Sequence, residues 1–504
     1  MTETLKLQNK GTSAAVSERS RWIALVVLCV GMLMIILDMT IVNVALPSIQ
    51  RDLGFSQSNL AWVVNAYLIT FGGLLLLAGR LGDLVGRRNM FLLGLAVFVA
   101  ASAVCGASQD QTVLIVARFI QGAGGAMASA VILGMIVTMF PEPAEQAKAI
   151  GVFSFVAAAG ASIGLLAGGA ITELINWHWI FFVNLPIGVA TALLALRVVG
   201  KDRGIGLRGG ADVLGAVLVT AALMLGVYTI VKAQEFGWGS LHTLGLGAVA
   251  VLLLAGFVVW EGRARHPLMP LGIFRSRNVA GANLVQMLFV GGLFGMFFMG
   301  SLYMQRALGY SPLHIGLAFL PVALLIGALS VGLAARLIIR FGARATLIPG
   351  LVLGAAGLAL FTRAPVNGTY VSDLLPSMVL VGVGAGLSFP ALMTLAMSGA
   401  DPSEAGFASG LVNTTQQVGG ALGLAVLATL ASTHTTTLLH EGKAAAPALV
   451  SGYHLAWLVG TGLLLAALGV AVTVLRPAPA ATEEAQDSEP GVPGDAQVAY
   501  SEAA

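Results

Sequence analysis

Two ionisable residues stand where ionisable residues are costly. Asp38 lies in the first long apolar stretch, in Leu37-Asp38-Met39-Thr40-Ile41-Val42-Asn43, and Arg118 lies in the fourth, in Ala117-Arg118-Phe119-Ile120-Gln121-Gly122. A charge at the centre of a membrane-spanning helix costs about 2.5–3.5 kcal/mol on the insertion scale, so each is read as functional. At a rise of about 1.5 Å per residue, Asp38 lies ~12 Å from the end of its span and Arg118 ~9 Å from the start of its own. With spans that alternate in direction those depths match, and opposite charges at one depth are expected to pair. The chemistry available to such a pair is proton exchange. Burial favours the neutral form of a carboxyl group and a nearby guanidinium favours the charged form. Movement of one against the other therefore switches whether a proton is held.

The rest of the chain must hold these two groups inside a bilayer. Only 10% of the 504 residues are charged and 57% are hydrophobic, with a mean hydropathy of +0.91, 64 glycines and 2 cysteines. A typical soluble domain has about 25% charged residues. That excludes a soluble enzyme, a nucleic-acid binder and a disulfide scaffold. The apolar runs do not alternate, which argues against an outer-membrane barrel. Fourteen stretches, from 22–46 to 452–475, are long enough to cross a ~30 Å hydrocarbon core as helices. The first is too long for a signal-peptide core and is expected to be an uncleaved helix. The fold class expected is an all-α membrane protein.

Lysine and arginine set the expected orientation. With the N-terminus inside, 20 of the 26 Lys and Arg fall in inside segments, 5 fall outside, and Arg118 lies within a span. That bias places both termini in the cytoplasm. The expected organisation is a cytoplasmic tail at 1–20, a six-helix half at 21–200, a central helix pair with its loop at 201–278, and a second six-helix half at 279–476. The acidic tail at 477–504 is expected to be disordered. A weak internal repeat supports two halves. Gly79–Arg88 and Ala335–Arg344, at an offset of 256 residues, share Arg80/Arg336, Leu81/Leu337, Gly86/Gly342 and Arg88/Arg344. Transporters are often built from such repeats. That offset is long for six helices, and an inserted helix pair accounts for it. No phosphate-binding loop is present in the sequence, so any pumping is expected to use an ion gradient.

Further motifs follow from residue type. In Gly79-Arg80-Leu81-Gly82-Asp83-Leu84-Val85-Gly86-Arg87-Arg88, Gly79 and Gly82 would let two helix ends approach. Gly86 suits a tight turn. Asp83 is expected to pair with a base or cap the next helix, and Arg87 and Arg88 to face the anionic leaflet. Gly160, Gly164 and Gly168, with Gly169 beside them, share a helix face suited to close packing. Trp177 and Trp179 are expected in an interfacial belt with His178 between them. The ninth span carries Met287, Phe289, Phe294, Met296, Phe298 and Met299, which suit either lipid-facing packing or an adaptable ligand wall. Asn43, Gln121, Phe294, Phe298, Asn413 and Gln417 are the candidate substrate-cavity residues.

The Gly79–Arg88 loop resembles the signature loop of the major facilitator superfamily. The stretch Leu37–Pro47 resembles the first-helix motif of its drug:proton antiporters, particularly the fourteen-helix branch, Leu114–Gly125 resembles the family's fourth-helix motif, and Gly160–Gly169 resembles the fifth-helix motif of its antiporters. Trp177–Gly188, His266–Pro270, Leu308–Pro312 and Ala408–Thr414 with Gln417–Gly420 resemble the fourteen-helix multidrug branch, and the resemblance covers about residues 20–475. It implies two six-helix halves with a central pair and 14 transmembrane helices. It also implies a latch role for Gly79, Gly82, Asp83, Gly86, Arg87 and Arg88, proton coupling through Asp38 and Arg118, and an antiporter motif at Gly160, Gly164, Gly168 and Gly169. Leu165 departs from the pattern, which has proline there. The expected function is proton-driven efflux of hydrophobic drugs or antibiotics across the cytoplasmic membrane, conferring resistance. The alternative is an importer or facilitator of another organic solute. The expected partners are a hydrophobic small molecule, protons and membrane lipid, with no nucleic acid. A monomer is expected, with no enzymatic activity, no metal and no cofactor, the proton gradient being the energy source.

Overall fold

The computed structural model describes residues 18–202, 204, 206, 212–265, 267–268, 271–397 and 405–476. The expected tails therefore lie almost wholly outside the described residues, as does part of the His266–Pro270 motif. The described chain is helical. Its long helices are α1 (Glu18–Leu53), α2 (Gln57–Val85), α3 (Arg87–Ala107), α4 (Gln111–Met139), α5 (Pro143–Leu174) and α6 (Trp179–Val198, broken at Val183). Then come α7 (Val213–Phe236), α8 (Leu241–Glu261), α9 (Arg277–Arg306), α10 (Pro312–Val331), α11 (Ala343–Phe361), α12 (Leu375–Met397), α13 (Ala405–His440) and α14 (Ala445–Thr473). Thirteen spans pass on length and composition, and the apolar segment Ile163–Leu174 of α5 supplies the fourteenth. Each of the fourteen stretches read from the sequence thus centres on one of these helices, although 315–335 runs past Val331 into a separate helix, Leu333–Phe341. Side-chain oxygens of Ser56, Asp110, Asp212, Ser240, Ser276 and Ser311 accept backbone N–H groups at the starts of α2, α4, α7, α8, α9 and α10. These are the orphan donors that a helix start must satisfy.

Helix packing repeats with a shift of eight helices. In the first half α1 packs on α5 and α6, α4 on α2 and α3, and α3 on α6. In the second, α9 packs on α13 and α14, α12 on α10 and α11, and α11 on α14. Glycines set the closest approaches in both. A methyl added at Gly124 would lie 2.5 Å from Phe98 N across the α3–α4 contact, and one at Gly384 would lie 2.6 Å from Gly350 O across α11–α12. The repeated loops correspond in conformation. Gly86 (φ 102°) and Gly342 (φ 88°) both take a left-handed turn open to glycine. Two residues on, Arg88 donates to the Leu196 carbonyl at the end of α6, and Arg344 Nη2 donates to the Val472 carbonyl at the end of α14, at 2.6 Å.

The halves meet along α2–α13 and α5–α10. At the face opposite the N-terminal end of α1 they are closed. Arg306 donates to Gln50 Oε1, and Glu173 Oε2 accepts from Ser311 Oγ at 2.5 Å and from Leu313 N at 2.9 Å. Ser301 Oγ donates to the Asn43 carbonyl at 2.9 Å. The extra pair is asymmetric. α7 packs on α2 and α13 together, with Thr220 against Gly73, and α8 packs chiefly on α7.

Candidate functional site: a buried charge network

Asp38 and Arg118 meet inside the first half. Their side chains are 0% and 1% exposed, and Arg118 Nη1 donates to Asp38 Oδ2 at 2.5 Å. Burying an ion pair is tolerable only if the remaining donors and acceptors are also satisfied. Here they are. Gln121 Nε2 donates to Asp38 Oδ1 at 2.8 Å, and Asn184 Nδ2 donates to the same oxygen at 3.0 Å. Arg118 Nη1 also donates to Gln121 Oε1 at 2.7 Å, and Arg118 Nε donates to the Val63 carbonyl at 2.9 Å. Ser102 Oγ receives Gln121 Nε2 at 2.7 Å and itself donates to the Phe98 carbonyl at 2.8 Å. The guanidinium lies over the Tyr67 ring at 4.4 Å from its centroid, with Phe181 at 5.7 Å.

Five helices supply this network: α1 gives Asp38, α2 gives Val63 and Tyr67, α3 gives Ser102, α4 gives Arg118 and Gln121, and α6 gives Asn184 and Phe181. Asn184, Ser102 and Tyr67 carried no role in the sequence reading. Neutral polar or aromatic residues in apolar spans give no signal of which neighbour they face. Asn184 did sit in a quoted motif, and a buried amide six residues beyond His178 was the available clue.

The small-residue face of α5 lies on the helix that bears Asp38. A methyl at Gly160 would meet Leu33 Cδ1 at 2.9 Å, one at Gly164 would overlap Thr40, and one at Gly168 would lie 2.8 Å from the Ile41 carbonyl oxygen. Gly169 points the other way. There a methyl would lie 2.7 Å from the Pro312 carbonyl oxygen on α10. Leu165 is buried and its carbonyl faces Gly316.

The Gly79–Arg88 loop is folded into the first half. Asp83 pairs with Arg87 at 3.0 Å, one turn apart, and Arg87 Nη1 reaches the Gly134 carbonyl at 2.9 Å. Arg88 is 6% exposed, so it is not turned to the leaflet as the sequence suggested, whereas Arg87 is partly exposed. Arg88 finds the Leu196 carbonyl in the last turn of α6 instead. The close approach occurs at Gly82, against Val131, whereas a methyl at Gly79 would have ordinary room, 4.0 Å from Ala130 Cβ. Asp83 does not cap α3. Asp202, a residue the sequence reading passed over, accepts Arg87 N at 2.5 Å and Arg88 N at 3.1 Å.

The candidate cavity residues are dispersed. Gln121 belongs to the charge network. Asn43 Nδ2 bonds the Met39 carbonyl at 3.1 Å, on the α1–α9 contact. Phe298 is buried, Phe294 lies against Gly420, and Gln417 lies against Gly72 in the α2–α13 seam, with Asn413 exposed one turn before it. Met296, Phe298, Met299 and Tyr303 are buried, so this side of α9 faces protein rather than lipid. Trp177 is buried too and donates to Asp52 Oδ2 at 2.8 Å, while Trp179 is exposed in the expected belt manner. His178 Nδ1 lies 2.9 Å from the Gly106 carbonyl oxygen. Among the described residues no cluster of three or more His, Cys, Asp or Glu could hold a metal ion.

Two pseudo-repeated six-helix halves, the first enclosing a buried ion pair, are the architecture of a multi-pass membrane transporter of small molecules. The chain belongs to the Major Facilitator Superfamily, whose profile matches residues 28–424. It is 41% identical over 451 residues to a puromycin resistance protein of Streptomyces alboniger, covering 88% of this chain and 89% of that one. It is 36% identical over 455 residues to a cephamycin export protein of Amycolatopsis lactamdurans, covering 90% and 92%. Among solved structures, a bacterial homologue of the human lysosomal transporter Spinster, in its inward-facing and occupied form, shares the fold. Its TM-score is 0.65 at 14% identity, over 90% of this chain and 97% of that one.

Proposed function

We propose that this transporter exports hydrophobic antibiotic-type molecules in exchange for protons. The observation that carries the reading is the set of partners around Asp38. Arg118, Gln121 and Asn184 all donate to it, a set that an ionised carboxylate satisfies and a protonated one does not. Taking up a proton must therefore rearrange the network, which spans five helices of one half. The names of the relatives, resistance and export proteins for puromycin and cephamycin, support export and an antibiotic-sized substrate.

On the Lys and Arg distribution both termini lie in the cytoplasm. The closed face is then the outer one. When the halves rock outward, Asp38 takes a proton and its hold on Arg118 weakens. On return inward, substrate binding and the re-formed pair favour release of that proton to the cytoplasm. One charge moved across 100 mV is worth about 2.3 kcal/mol, enough for roughly a 50-fold gradient of a neutral solute. With one deep carboxylate in the network, one proton per cycle is the stoichiometry. The protein acts as a monomer, is surrounded by lipid and needs no cofactor beyond the proton gradient.

The test is proton flux from proteoliposomes under an imposed pH gradient as puromycin or a similar hydrophobic antibiotic is added. Substrate-dependent flux is expected in the wild type and absent in Asp38→Asn, with helix content by circular dichroism and elution in detergent checked against the wild type. Equal flux in both would remove Asp38 from the coupling. Proton-driven uptake in vesicles of known sidedness would make the protein an importer.

A further inference from the structure

Two grooves run along the outer surface of the first half. One, of about 470 Å³, lies between α3 and α4 and is walled by apolar residues such as Val97, Val104, Val116 and Ile120, with no charged side chain. The other, of about 540 Å³, follows the first turns of α1. Arg19, Trp22, Ile23 and Val26 line it. Their spacing of three, four and seven residues places them on one helix face. Arg19 stands at the end of the helix, Ile23 and Val26 are 43% and 56% exposed further into the span, and Trp22 lies between.

Charge is unevenly balanced around this groove. Arg21 is neutralised by Glu145 at 3.2 Å and also reaches the Met139 carbonyl. Lys148 Nζ lies 5.1 Å from the Trp22 ring centroid, in cation–π contact. Among the described residues, neither Arg19 nor Lys148 has a carboxylate within 4.0 Å, and both are exposed. Two cations with no carboxylate partner among the described residues therefore stand by an indole at the end of an apolar groove.

We propose that this groove is a binding site for one anionic phospholipid. The phosphate and its second negative or hydroxylated headgroup portion sit between Arg19 and Lys148. The glycerol backbone lies by Trp22, and an acyl chain runs over Ile23 and Val26. Charge complementarity selects this occupant over the chain's own residues 1–17, which carry Lys6 and Lys10 against Glu3 and are themselves cationic. It also separates this groove from the uncharged one on α3 and α4, which can take an acyl chain but cannot select a headgroup. Each basic side chain near an anionic membrane contributes about 1 kcal/mol, so two give a preference of roughly tenfold or more over a zwitterionic lipid.

The test uses the full-length protein in phosphatidylcholine vesicles doped with brominated lipid, with bromines on the acyl chain near the headgroup. The Trp22 contribution is the difference between wild type and Trp22→Phe. Half-maximal quenching of Trp22 is expected at a mole fraction of brominated phosphatidylglycerol roughly tenfold lower than that of brominated phosphatidylcholine. The preference should vanish in the double variant R19Q/K148Q and persist in R19K/K148R, which keeps both charges. Equal quenching by the two lipids in the wild type would overturn the proposal. So would a preference that survives R19Q/K148Q.

Discussion

Replacing Gly169 by alanine should open the closed face of the molecule. The added methyl would lie 2.7 Å from the Pro312 carbonyl oxygen and 2.8 Å from Leu313 Cα. Both are backbone atoms of α10, in the opposite half, and no rotamer change can move them. Ordinary contact begins at 3.4 Å, so α5 and α10 must part by about 0.7 Å at this point. Overpacking of this kind costs roughly 1–3 kcal/mol. The cost falls on the closed arrangement alone, because separating the halves at this face relieves it. The helical preference for alanine over glycine acts on both states and cancels. The ratio of open to closed molecules should therefore rise by roughly 5- to 160-fold. Spin labels at Arg51→Cys and Glu441→Cys, exposed positions in the two halves, would read the separation by double electron–electron resonance; both native cysteines are buried. A new long-distance population is expected in Gly169→Ala. Gly160→Ala is the control, since its methyl meets Leu33 Cδ1, the flexible end of a side chain in the same half. An unchanged distribution in Gly169→Ala, or an equal shift in the control, would show that this contact does not hold the face closed.

Other expectations follow from the network and the loop. Arg118→Lys should abolish substrate-driven proton flux, because one ammonium cannot reach Val63, Asp38 and Gln121 together as the guanidinium does; wild-type flux in proteoliposomes would contradict this. Asn184→Ala removes one donor from a buried carboxylate, a loss of about 1.5–3 kcal/mol. In an Asp38→Leu background the same change should cost less than about 1 kcal/mol, and a double-mutant cycle by denaturation in detergent measures the difference. Asp202→Ala uncaps α3 and should destabilise the Gly86 turn by about 0.5–2 kcal/mol, seen as faster amide exchange at Arg87 and Arg88.

The halves and the helix count were legible because hydropathy reports depth. A run of about 20 apolar residues must span, and a repeat such as Arg88/Arg344 keeps its place when two halves fold alike. The depth of Asp38 and Arg118 could be counted for the same reason. The rotation of each helix about its own axis could not. That rotation decides whether Trp177 meets water or Asp52, and whether Met296 and Met299 meet lipid or protein. Arg88 shows the limit well. A basic loop residue next to a membrane reads as leaflet-facing, yet the end of α6 offers an unsatisfied carbonyl that outcompetes the surface.

The sequence by itself determined that this chain is a fourteen-helix membrane protein in two related halves, with one acid and one base deep in the first. Those properties depend on the cost of exposing polar groups to hydrocarbon, which acts residue by residue along the chain. The tertiary structure alone decided that Asn184 and Ser102 complete the charge network, that Asp202 anchors the Gly86 turn from 115 residues away, and that Gly169 touches the other half while Gly164 touches Thr40. Those contacts join residues distant in sequence, and close packing between glycine-lined helices, rather than hydropathy, selects them.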